Sequence, residues 1–166
     1  MKKNILIVLS AAIMPLLAMA ATDFGGSWLL DAAKSDAVPH PTYWLTRGEG
    51  VRQDEDPLMT VTQNAKSLEI TREARMADNY VDFMLDGKPH TRPMDTGMAE
   101  ATVTARMDGN KVVIETSQPY GGMPGNATLE IREEWSLSPD GKTLTITTSR
   151  DLSGIKQTSR QEFIRQ

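Results

Sequence analysis

The stretch Leu129–Arg150, LEIREEWSLSPDGKTLTITTSR, decides how the rest of the chain is read. Its apolar residues alternate with polar ones: Leu129, Ile131, Trp135 and Leu137 on one side of Pro139-Asp140-Gly141, Leu144 and Ile146 on the other. A period of two is the repeat of a strand that buries one face. Proline, aspartate and glycine between the halves are turn chemistry, the glycine supplying the positive φ of a tight hairpin. Pairing Leu137 with Leu144 brings both apolar sets to one face, over strands 127–137 and 143–151. In that register Ile131 falls opposite Arg150 and Glu133 opposite Thr148. Glu133 and Arg150 are then diagonal neighbours on the buried face, within side-chain reach of each other.

The same pattern continues toward the N-terminus. Asp86-Gly87-Lys88 and Asp108-Gly109-Asn110-Lys111 are turns of the same kind, and strands are predicted over 26–31, 58–63, 67–75, 79–86, 98–107, 111–118 and 157–165. Pairing Val61 with Leu68, Ala74 with Val81 and Ala105 with Val112 keeps every apolar set on a shared face. Residues 32–57 carry Pro39, Pro41, Gly48 and Gly50 and read as a long loop holding the apolar patch Tyr43-Trp44-Leu45. No amphipathic helix is available to cover a one-sided sheet, so the sheet must fold onto itself. The expected fold is all-β, a single antiparallel up-and-down meander barrel of about eight to nine strands. Closure brings the last strand beside the first and Arg165 near Trp28.

Lys2 and Lys3, the apolar run Ile5–Leu17 and the small-x-small Ala18-Met19-Ala20 form a secretory leader. A cleaved signal peptide over 1–20, a barrel domain over 21–166 and a periplasmic or secreted location are expected, with no membrane span after processing. The chain has no cysteine, which leaves no disulfide, thiol chemistry or lipid-attachment residue. Loss of Lys2 and Lys3 takes the net charge from −4 to −6, a balance that repels nucleic acid and anionic headgroups. His40 and His90 are the only histidines and have no second ligand at metal-binding spacing. Alignment of His90 with Met94 and Met98 on one helix face is opposed by Pro89 and Pro93. No nucleophile elbow, phosphate loop or paired-cysteine motif is present, and no cofactor is expected.

Gly26-Ser27-Trp28, followed by Leu30-Asp31-Ala32-Ala33-Lys34-Ser35, together with Trp135–Ile146 resembles small secreted bacterial lipocalin-like proteins of uncharacterised function. The resemblance spans most of the chain after residue 20. It implies a barrel closed at one end by Trp28, with Arg165 packed over that ring, and it suggests carriage of a ligand. Trp28 and Arg165 are structural residues in this reading.

Alternation sets the barrel lining. Ala74, Ala101 and Ala105 are small, while Phe83 and Trp135 are the bulky aromatics of the inward set, an arrangement that leaves room inside. Close packing is the alternative, since interiors normally reach it. The candidate ligand-binding residues are Arg72, Phe83, Ala105, Leu129, Ile131, Glu133, Trp135 and Arg150. Glu133 and Arg150 are either a polar handle for a carboxylate or hydroxyl, or a structural ion pair. The expected function is binding of a small, mostly apolar or amphiphilic molecule. An envelope interaction or structural module with a packed core is a second reading, and a barrel isomerase or cyclase using Glu133 a third. A protein partner is not identified by the sequence.

Overall fold

The computed structural model describes residues 22–36, 58–72, 79–94, 99–120 and 127–166, apart from the side chains of Arg72 and Asn79. The expected leader 1–20, the Tyr43-Trp44 patch, Ala74 and Met98 lie outside these residues.

Among the described residues the strands form one antiparallel sheet of ten, where about eight to nine were expected. They are β1 Gly26–Leu30, β2 Leu58–Gln63, β3 Ser67–Arg72, β4 Asn79–Met84, β5 Asp86–Pro93, β6 Glu100–Asp108, β7 Lys111–Pro119, β8 Thr128–Leu137, β9 Thr143–Leu152 and β10 Ile155–Arg165. The order is β4-β3-β2-β1-β10-β9-β8-β7-β6-β5, a meander in which the last strand closes onto the first through Trp28 opposite Arg165 and Leu30 opposite Phe163. Every sequential pair is laddered except β4 and β5, so the barrel is nearly closed, with one seam.

β5 is the added strand. Its Pro89 and Pro93 lack a backbone N–H, which argues against a central strand but is tolerated on an edge, and β5 is an edge that pairs only with β6. Asp86-Gly87 is therefore not a hairpin turn between paired strands. Gly87, at φ +69°, instead lies in the irregular start of β5, where the register shifts between Asp86 and Pro89.

The β8–β9 register holds Leu137 opposite Leu144, Glu133 opposite Thr148 and Ile131 opposite Arg150. Two other registers differ from expectation by two residues: Val61 faces Ile70 rather than Leu68, and Ala105 faces Ile114 rather than Val112. In both hairpins the turn sits one residue later than expected. Asp108 pairs with Lys111 around Gly109-Asn110, and the Asn64 side chain accepts from the N–H groups of Lys66 and Ser67. Shifting a turn by one residue moves a register by two, so no side chain changes face. Val81 faces Ile70, not Ala74, because Arg72 and Asn79 already pair and residues 73–78 connect them.

The core holds Phe24, Trp28, Met59, Val61, Leu68, Ile70, Val81, Phe83, Val103, Val112, Ile114, Trp135, Leu144, Ile146 and Phe163. Strand direction sorts the connections: β2–β3, β4–β5, β6–β7 and β8–β9 turn at the end holding Trp28, and the other five leave from the opposite rim.

Candidate ligand-binding interior

The closed end is assembled from both extremes of the barrel sequence. Trp28 is fully buried and its Nε1 donates to the carbonyl of Phe24 at 2.9 Å. The Arg165 guanidinium lies 4.3 Å from the Trp28 ring centroid. It also donates to the carbonyls of Gly141 (2.9 Å) and Gly25 (2.6 Å), so the arginine joins the β8–β9 turn to the segment before β1. Phe24 meets Trp135 edge-on, with ring centroids 6.5 Å apart. This aromatic stack fills the barrel on the side where the tight turns lie.

Away from that plug the interior has two kinds of wall. On β2, β3 and β4 the buried side chains among the described residues are Met59, Val61, Leu68, Ile70, Val81 and Phe83, all apolar. The buried polar side chains among the described residues are Thr116 and Gln118 on β7, Glu133 on β8, Thr148 on β9, and Ser159 and Gln161 on β10. Cross-strand pairing aligns them: Ser159 faces Thr148, which faces Glu133, and Arg150 faces Ile131, which faces Thr116.

Glu133 is 3% exposed and accepts from Trp135 Nε1 at 3.0 Å. Arg150 occupies the adjacent diagonal position on β9. Burial works against the Arg150 charge and lowers its pKa from the usual arginine value, while the Glu133 carboxylate acts in the opposite direction. Gln118 is 4% exposed, and its side-chain oxygen has no hydrogen-bond partner. An unsatisfied buried acceptor costs about 1–3 kcal/mol, and a guest carrying a donor would relieve that cost.

The structure distributes the sequence-predicted residues unevenly. Ile131, Glu133, Trp135 and Arg150 share the β8–β9 wall, and Leu129 is half-buried one row farther from the end holding Trp28. Phe83 and Ala105 lie across the seam from one another and line one narrow crevice with Met84, His90, Arg92 and Val103. Arg72 pairs with Met59 through its backbone, and its side chain lies outside the described residues. Sequence reasoning missed Gln118, Ser159 and Gln161 as site residues, although alternation from Val112 and Phe163 puts all three on the inner face. It also missed Arg92, which crosses the seam. Arg92 donates to the Asp82 carbonyl, lies 3.4 Å from the Asp82 carboxylate and covers the Phe83 ring at 5.4 Å.

A concavity of about 360 Å³ lies on the outer surface of β7–β10, lined by Glu115, Glu130, Arg132, Ser149, Asp151, Lys156 and Thr158 together with Ile131 and Arg150. Its mixed charge suits solvent better than an apolar guest. Among the described residues no group of three or more histidine, aspartate or glutamate side chains could hold a metal ion, and no helix is long and apolar enough to cross a membrane.

Solved structures share the architecture. Apo Caenorhabditis elegans lipid binding protein 8 superimposes with a TM-score of 0.55 at 12% identity, covering 89% of this chain and 100% of that one. A protein described as the REP1-NXSQ fatty acid transporter gives 0.53 at 12% identity, covering 86% and 95% of the two chains. Human cRBP IV gives 0.52 at 18% identity, covering 87% and 99%. At such identities the likeness is one of fold. No family model and no curated protein matches the chain in sequence.

Proposed function

We propose that the protein carries a small, mostly apolar molecule inside its barrel, in the periplasmic or extracellular space to which a cleaved leader, residues 1–20, delivers it. The observation that carries this reading is the divided interior. An apolar wall on β2–β4 faces a wall on β7–β10 bearing buried polar groups, with the Gln118 acceptor left over. That pairing suits an amphiphile, its chain along Met59, Ile70 and Phe83 and its polar end toward Thr116, Glu133 and Arg150. Phe83, Ala105, Leu129, Ile131 and Trp135 contribute apolar contact. Neighbours in fold described as a fatty acid transporter and a lipid binding protein support the same class of ligand.

A neutral fluorescent probe such as N-phenyl-1-naphthylamine tests the reading. Binding should brighten the probe and quench Trp135 emission. Ala105→Phe, which fills the lining, should lower probe affinity at least about tenfold while the circular dichroism spectrum stays native. Unchanged affinity would place the probe outside the barrel and remove the support. N-terminal sequencing of the exported protein checks the compartment: the chain should begin at Ala21, and a retained leader would withdraw that half of the proposal.

A further inference from the structure

The interior answers its positive charges with its own groups. Arg92, Arg150 and Arg165 are the arginines among the described side chains that start from inward register positions. Arg92 is held by the Asp82 carboxylate and carbonyl across the seam. Arg165 is spent on backbone carbonyls and the Trp28 ring at the closed end. Arg150 sits diagonally from Glu133, a carboxylate buried to 3% exposure whose charge opposes it inside a medium of low dielectric. A carboxylate or phosphate entering this space would find Arg92 and Arg165 held by their own partners, and would add a negative charge beside Arg150 and Glu133, whose charges already oppose each other. Gln118, by contrast, offers a buried oxygen that lacks a donor.

We infer that the bound molecule ends in an uncharged hydrogen-bonding group, an alcohol or primary amide rather than a carboxylate, and that its O–H or N–H donates to Gln118. The inference rests on the carrier reading and narrows it to a head-group class. Glu133 then works as a filter, admitting neutral heads and repelling anionic ones. Gln118 works as the recognition group.

The test uses the processed protein loaded with N-phenyl-1-naphthylamine, displaced in turn by decanol, decanamide and decanoate at about pH 9, where a carboxylic acid is fully ionised. Decanol and decanamide should displace the probe at concentrations at least about tenfold below decanoate, and Glu133→Gln should shrink that ratio about tenfold by removing the repulsion. Gln118→Leu should weaken decanol about two- to tenfold and leave decanoate unchanged, as expected for removing one hydrogen bond. Decanoate displacing as well as decanol from the wild-type protein overturns the head-group inference and leaves carriage standing. A probe that does not bind, or that none of the three displaces, overturns carriage and the inference with it. If Glu133→Gln does not fold, Gln118→Leu decides alone, and unchanged decanol affinity counts against the inference.

Discussion

Gly26 is where a single missing methyl group shapes the barrel's end. Its φ of +137° is one that residues with a side chain rarely adopt, and a Cβ there would sit 2.7 Å from Arg165 Nη1. Gly26→Ala should therefore destabilise the fold in two separable ways, through backbone strain and by displacing the guanidinium from the Trp28 ring. A double-mutant cycle with Arg165→Ala, read by urea denaturation, should show the second effect vanish and the first persist. Trp28→Ala should cost about 3–5 kcal/mol as a large aromatic deletion from a core, whereas Arg165→Met gives up the cation–π interaction with that ring, worth about 0.5–2 kcal/mol, together with the hydrogen bonds to the Gly25 and Gly141 carbonyls. A Trp28→Ala midpoint close to wild type would contradict the observed burial. Glu133 invites a similar cycle. Glu133→Gln should weaken folding by about 1–3 kcal/mol through the cation it strands, and Arg150→Met in the same chain should restore most of it. Additive effects would mean that the two charges do not sense each other. Both residues were legible from alternation alone: Glu133 stands between Ile131 and Trp135 on one face, and Arg150 continues the inward set of Leu144, Ile146 and Thr148. Gln118 was not, since a glutamine at the end of a strand looks like any solvated polar residue until its burial is known.

Among the elements, β5 was illegible for a definite reason: Pro89 and Pro93 are read as breakers, and only the topology reveals an edge on which a missing N–H costs nothing. The hairpins were legible to within one residue of turn position, an error that alternation absorbs without turning any side chain over. At the seam, Arg92 substitutes for a ladder. Arg92→Ala should accelerate hydrogen exchange of the amides of β4 and β5 several-fold and leave β8 and β9 unchanged, since local opening draws only on the interactions it breaks. On the outer face a charge ladder runs over β6–β8. Arg106 meets Glu115 at 2.8 Å, Arg132 reaches both Glu115 and Glu134, and Lys111 meets Glu134 at 3.2 Å. Val113, buried to 1% exposure on that face, lies between Arg106 and Glu134 in the ladder. The Arg106 hydrogen bond holds the Glu115 carboxyl below its ordinary pKa, and Arg132 does the same for Glu134. Because both folded values are depressed, the stabilisation is fully present above the unfolded carboxylate range and is lost as pH falls through the folded values. Urea midpoints should stay flat from neutrality to about pH 5 and decline below about pH 4.3, with Glu115→Gln flattening the decline. The pairs are partly exposed, so each is worth about 0.2–1 kcal/mol, and added salt should reduce the effect.

For the whole molecule, the barrel was legible because nine alternating segments without a covering helix have few ways to hide an apolar face. The joining of β1 to β10 follows from the same need. Which groups line the β7–β10 wall, and how they divide the interior from β2–β4, depends on depth along each strand, a quantity that alternation does not encode. One consequence of the β1–β10 ladder concerns time rather than stability. Trp28 is made early and its partner Arg165 some 137 residues later. During synthesis β1 can pair with β2 but must wait for β10, and a growing sheet with unpaired edges is prone to pair with other chains. Closure across so long a separation is also slow. The ring can lock only after the ribosome has delivered its final strand, and a cell that makes this protein must keep the nascent chain from its neighbours until then.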